Sequence, residues 1–111
     1  ACATGTEWQV AFGLLTEMRG NQLRPNVVTY NAAISACEKS MEWQRALNIL
    51  QAMQRNHLVP QVISYNAAIS ACEKAGEWQV SLSLLVEMQQ RSLEPNVITY
   101  NAAISACAKG M

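Results

Sequence analysis

Four cysteines, Cys2, Cys37, Cys72 and Cys107, stand 35 residues apart. Four thiols suggest either disulfides or a tetrahedral zinc site, and the spacing argues against both. Zinc ligands usually come in pairs two to four residues apart, and no such pair exists here. If the recurrence reflects stacked helices, equivalent positions lie about 8–10 Å apart. A disulfide needs Cα atoms within about 7 Å. The thiols therefore read as small residues at helix contacts. Acid–base chemistry is no better supplied. His57 is the single histidine, in a turn and without a repeating partner, and reads as solvated. The chain has no aspartate, and its Glu residues recur as surface and helix-start charges. No Gly-rich phosphate loop and no metal-ligand cluster is present. The expectation is a chain that is not an enzyme and needs no cofactor or metal.

Other side chains recur at the same interval. Tyr30, Tyr65 and Tyr100 each open the phrase Tyr-Asn-Ala-Ala-Ile-Ser-Ala-Cys, and Trp8, Trp43 and Trp78 keep step, as do Pro25, Pro60 and Pro95. An uninterrupted period of this length marks a stacked repeat array, in which each unit buries its apolar face on its neighbours. Such an array presents the same positions repeatedly along one surface, which suits an extended ligand better than a small substrate. The expected units are a partial repeat at 1–26, mostly a second helix, full repeats at 27–61 and 62–96, and the first helix of another at 97–111. The start at Ala1-Cys2 falls mid-phrase, so the chain reads as a segment of a longer array with adhesive ends.

Each unit divides into two helices. Tyr30, Ala33, Ile34 and Cys37 fall at i, i+3, i+4 and i+7, one apolar helical face. Thr29, Ser64 and Thr99 fill the slot before it, where a hydroxyl serves as an N-cap. The helix ends near Lys39, a cation suited to a helix C-terminus. A short turn follows at Ser40-Met41, Ala75-Gly76 or Gly5-Thr6. The second helix begins at Glu42, Glu77 or Glu7 and carries Trp43, Ala46, Leu47, Leu50 and Met53 on one face, matched by Trp78, Ser81, Leu82, Leu85 and Met88. It runs to about Arg55. Pro60 then prevents continuation and biases its predecessor away from helical angles. Nothing reads as a strand. Tyr30, Trp43 and their copies are expected in the core. Val28, Asn31, Ser35 and Glu38 form a second stripe, rotated away from the core face.

A 35-residue helix pair containing Pro25-Asn26-Val27-Val28-Thr29-Tyr30-Asn31, Pro60-Gln61-Val62-Ile63-Ser64-Tyr65-Asn66 and Pro95-Asn96-Val97-Ile98-Thr99-Tyr100-Asn101 resembles the pentatricopeptide repeat. The resemblance covers essentially the whole chain. The tetratricopeptide repeat, with a different Trp, Leu, Gly and Tyr pattern, fits less well. The resemblance implies an all-α, right-handed solenoid whose first helices line a groove for single-stranded RNA, one base per repeat. The base-reading residues would be Asn31 with Gln61, and Asn66 with Asn96. Asn26 would close the preceding pair and Asn101 would open the next. Val28, Ile63 and Ile98 would sandwich the bases, and Lys39, Lys74 and Lys109 would approach phosphate. An amide carries both donor and acceptor, so it can address a base edge, and reading by two or three side chains per helical repeat is an established mode. The Asn/Asn pair implies a pyrimidine. Glu38 and Glu73 depart from a phosphate-friendly groove, and Trp43 and Trp78 are bulkier than the family's usual residue there.

Eight basic and eight acidic residues give zero net charge, which does not support strong nonspecific nucleic-acid binding. No apolar stretch reaches the roughly 18 residues of a membrane span. The sequence contains no recognisable targeting segment; the family resemblance implies a mitochondrion or plastid, and a role in organellar RNA processing, stability, editing or translation. The expected partner is single-stranded RNA, without DNA or membrane, alongside protein partners. The alternative is a protein–protein scaffold holding a peptide in the concave groove, favoured by the zero net charge and the Glu38/Glu73 row.

Overall fold

The computed structural model of the chain describes residues 7–110. Cys2 and the Gly5-Thr6 turn lie outside them. The described residues form six helices and no strand: α1 Glu7–Gly20, α2 Val27–Lys39, α3 Trp43–Arg55, α4 Val62–Lys74, α5 Trp78–Gln90 and α6 Val97–Gly110. Helices α2, α4 and α6 begin the repeats, and α1, α3 and α5 end them.

The core stripe of α2 is the expected one, with Tyr30, Ala33, Ile34 and Cys37 all buried. The second-helix stripe is rotated from the expected one. In α3 the buried set is Ala46, Ile49, Leu50 and Met53, while Trp43 and Leu47 are only half-buried. In α5 it is Ser81, Leu84 and Met88, with Trp78, Leu82 and Leu85 half-buried. The second helix meets two first helices, so its buried face is centred between them. Side chains such as Ile69, Tyr65 and Met88 are fully buried. Each contributes roughly 1.5–3 kcal/mol of transfer free energy.

First helices pack side by side, α2 on α4 and α4 on α6. Their shared surfaces are built from small residues, including Ala33, Cys37, Ala68, Ala71, Cys72, Ala103 and Ala106, all buried. Helix α3 sits against α2 and α4, α5 sits against α4 and α6, and α1 sits against α2. No backbone contact joins α1 to α3 or α3 to α5. Side chains span these gaps: Arg45 lies 3.9 Å over the Trp8 ring, and Arg91 Nη2 donates to Gln54 Oε1 at 2.6 Å. Small residues thus hold one wall tight, while bulky ones spread the other. This sets the curvature expected of an α-solenoid, with the first helices inside.

The turns stop each helix in a common way. Leu58 N donates to Met53 O at 2.8 Å and His57 N to Gln54 O at 3.0 Å, a Schellman arrangement repeated where Glu42 N meets Cys37 O at 2.9 Å. The residue in the left-handed region is Gly76 at φ 79°, but also Met41 at 58°, Gln22 at 61°, His57 at 64° and Ser92 at 65°. Met41 therefore adopts the glycine conformation despite its side chain.

Candidate nucleic-acid interface

The N-termini of the first helices differ from expectation in one respect. Thr29, Ser64 and Thr99 are not the caps. The helices begin one turn earlier, with Asn26, Gln61 and Asn96 in the cap position and the hydroxyl residue inside the first turn. Asn26 Oδ1 accepts from Thr29 N at 3.0 Å, while Asn26 N donates to Thr29 Oγ1 at 3.2 Å. Asn96 and Thr99 repeat this at 3.1 Å each. Gln61 N donates to Ser64 Oγ at 3.0 Å. Two good capping residues stand three positions apart, and the pair forms a reciprocal capping box in which each satisfies the other's backbone N–H.

The same hydroxyls reach back to the previous repeat. Ser64 Oγ donates to Asn31 Oδ1, and Thr99 Oγ1 to Asn66 Oδ1. Asn66 Nδ2 in turn donates to Asn96 Oδ1 at 3.1 Å. The amide orientations follow from this chain of contacts. Thr99 N–H requires an oxygen on Asn96, which requires a nitrogen on Asn66, which leaves the Asn66 oxygen for the Thr99 hydroxyl. The Asn66/Asn96 pair therefore has all its oxygens engaged and retains unpaired N–H donors. The anchoring hydroxyls were not among the sequence candidates as partners of the asparagines. Their trace was the strict Ser/Thr slot 33 residues after each Asn.

The structure brings Asn66 and Asn96 into direct contact, with Asn66 buried and Asn96 exposed. Asn31 is half-buried and meets the helix that Gln61 begins, while Gln61 itself is exposed. Asn26 is exposed and occupied by its cap, and Asn101 is exposed at the last first helix. Val28, Ile63 and Ile98 project into solvent at 73 %, 62 % and 63 % exposure, one beside each amide row. These are unusual positions for β-branched apolar residues, and they form an apolar ledge along the first helices. The second stripe sinks into the junction between first helices: Asn66 and Glu73 are buried, and Asn31, Ser35 and Glu38 are half-buried.

Charge along this wall is paired. Lys74 Nζ contacts Glu38 Oε2, and Lys109 Nζ contacts Glu73 Oε2, each joining one repeat to the next. Ser105 Oγ also donates to Glu73 Oε2 at 3.3 Å. Glu38 and Glu73 thus neutralise lysines rather than standing alone. Lys39 is exposed, without an ion pair among the described residues.

Two of the thiols are buried and held in the protonated form. Burial, then the carboxylate of Glu42 against the opposing Arg45, raises the Cys37 pKa to about 11. Burial and Glu77 raise Cys72 to about 12. Both cysteines, and half-buried Cys107, are free. Among the described residues no cluster of His, Cys, Asp or Glu could hold a metal ion.

Comparison with known proteins agrees with this geometry. A pentatricopeptide repeat domain model matches residues 1–40 and 13–75, and a PPR repeat family model matches residues 60–109. No curated protein matches the chain. The pentatricopeptide repeat protein PPR10, solved in complex with an 18-nt psaJ RNA element, superposes with a TM-score of 0.89 at 24 % identity, over 99 % of this chain and 16 % of that one. PPR10 from maize superposes with a TM-score of 0.81 at 25 % identity, over 93 % and 15 % respectively. The chain thus spans about a sixth of the length of these proteins. With the right-handed helical-pair solenoid and its 35-residue period, these matches place the chain in the pentatricopeptide repeat family.

Proposed function

We propose that the chain reads single-stranded RNA, one base per repeat, with a preference for pyrimidines. The supporting observation is the Asn66/Asn96 pair, whose oxygens are engaged inside the protein and whose free N–H groups remain to donate. Uracil offers O2 and O4, and cytosine O2 and N3, as acceptors for these N–H groups, while uracil N3–H and the cytosine amino group turn to acceptors outside the pair. The exposed Ile63 and Ile98 flank the pair and supply apolar surface for the base faces. Asn31 with Gln61 forms the preceding reading pair, Asn26 and Asn101 belong to the pairs on either side, and Val28 extends the ledge. Lys39, and Lys74 and Lys109 in competition with their glutamates, approach phosphate. The PPR10 complex with RNA supports the same kind of ligand.

The role is that of a passive reader without catalysis, which sequesters RNA or positions other factors. We assign the protein to a mitochondrion or plastid, where it acts in RNA processing, stability, editing or translation; imaging of the tagged protein tests the location. Two full repeats alone bind weakly, around a millimolar Kd, or about 4 kcal/mol. An NMR titration with oligouridylate and oligoadenylate measures this range. The expected result is shifts centred on Asn66, Asn96 and Ile98 that favour oligouridylate and vanish in the Asn66→Ala/Asn96→Ala double variant. Equal affinity and unchanged base preference in that variant would refute the assignment.

A further inference from the structure

The repeat tyrosines Tyr30 and Tyr65 meet different charges on their second-helix side. On the α5 side, Tyr65 donates its phenolic proton to Glu87 Oε2 at 2.7 Å, and Arg91 Nε lies 3.8 Å from the same oxygen. Between α1 and α3 the equivalent carboxylate is missing, because the residue 35 positions before Glu87 is Ala52. Tyr30 sits there as an acceptor instead, receiving Arg19 Nη2 at 2.6 Å and Asn56 Nδ2 at 3.4 Å. Its own proton has no acceptor among the described residues.

Arg24 and Arg55 join Arg19 around a cleft of about 560 Å³, and no carboxylate lines it. None of the three arginines makes an ion pair among the described residues. In a chain of zero net charge, three uncompensated arginines are gathered at this one junction. Guanidinium groups are suited to carboxylate through paired N–H donors, and the Tyr65–Glu87 contact shows a carboxylate seated at the matching tyrosine. A second cleft of about 260 Å³ adjoins the first, sharing Arg19, Tyr30 and Arg55 but walled by Phe12, Leu15, Ile49 and Ala52.

We propose that the α1/α3 cleft binds an acidic peptide of a partner protein: a Glu or Asp side chain takes the place that Glu87 fills one repeat later. The carboxylate accepts from Tyr30 and Arg19, Arg24 and Arg55 surround it, and a neighbouring apolar side chain enters the adjoining cleft. That apolar extension fits a peptide better than a sugar–phosphate backbone. None of the proposed base-reading residues lines the cleft, although Arg24 and Pro25 lead directly into Asn26, so a separate oligouridylate probe is needed to tell the two sites apart.

Fluorescence anisotropy on the 111-residue chain tests this with three labelled probes: a short Leu- and Glu-rich peptide, its Gln-for-Glu counterpart, and oligouridylate. The Glu peptide is expected to bind at least about tenfold more tightly than the Gln peptide, the factor for one charge-assisted contact. Ala52→Glu, which supplies the internal carboxylate already accommodated at Glu87, is expected to abolish that advantage while leaving the fold and oligouridylate binding intact. Arg19→Gln with Arg55→Gln, both exposed, is expected to do the same. Equal binding of the two peptides overturns the proposal, as does an Ala52→Glu variant that binds the Glu peptide undiminished. Loss of oligouridylate binding in Ala52→Glu also overturns it, since the cleft would then be a phosphate site.

Discussion

Asn96 performs two tasks with one side chain. Its oxygen caps α6 and receives Asn66, and its nitrogen is left to face outward. The division is forced, because a backbone N–H at a helix start must find an acceptor. The lysines show a related economy: Lys109 is held by Glu73 of the preceding repeat. Glu73→Gln removes that counter-charge, so RNA affinity is expected to rise and the salt slope to steepen by roughly one released counterion; salt-dependent titration checks both. The thiols make a different prediction. Cys37 and Cys72 have pKa values raised to about 11 and about 12 from an ordinary 9, chiefly by burial. The folded state therefore holds these protons more tightly than the unfolded chain. Their stabilising contribution is complete below about pH 9 and is lost as pH climbs from about 9 to about 12. Denaturant melts across that window should show the decline, and Cys37→Ala with Cys72→Ala should flatten it. Burial and Glu87 push the Tyr65 phenol up as well, so some alkaline decline persists in that variant.

At the scale of the helix, local sequence carried much of the information. Tyr30, Ala33, Ile34 and Cys37 define a face by spacing alone, and Pro60 marks the stop, because both signals act within a few residues. The start was harder to place. Asn26 and Thr29 are both good caps, and each satisfies the other, so nothing within that segment says which lies outside the helix. The rotated stripe of α3 was hidden for a different reason: its centre is set by contact with both α2 and α4, which single-helix periodicity does not contain. The ion pairs of Lys74 and Lys109 span 36 residues and become visible only once lateral neighbours are known. Turn chemistry yields a direct test. Met41 adopts φ 58°, where its Cβ is strained by roughly 1 kcal/mol relative to glycine. Met41→Gly is expected to stabilise the chain by about that amount in urea unfolding, whereas Gly76→Met should destabilise it comparably.

At the scale of the molecule, stacking leaves a face unpaired. Tyr100 and Ile104 on α6 are 45 % and 65 % exposed, while their counterparts Tyr65 and Ile69 are fully buried. Arrays of this kind need polar terminal surfaces for solubility. The chain alone is therefore expected to self-associate with rising concentration, and Ile104→Glu to suppress this by placing a charge on the adhesive surface. Sedimentation equilibrium measures both, and a concentration-independent monomer for the unmodified chain would contradict the expectation. The family and architecture were legible because the period is strict. The cationic cleft was not, because its charge comes from the ends of α1 and α3 and the turn after α1, and from the lack of a carboxylate at position 52, features that the repeat pattern averages away.

The gaps between α1, α3 and α5 carry a mechanical consequence. With no backbone contact along the outer wall, a change of pitch there is taken up by side chains, including flexible links such as Arg91 to Gln54. The tight inner wall serves as the hinge line. A solenoid built from these repeats would lengthen or shorten as a coil does, adjusting the rise between successive units to the stride of whatever polymer it holds.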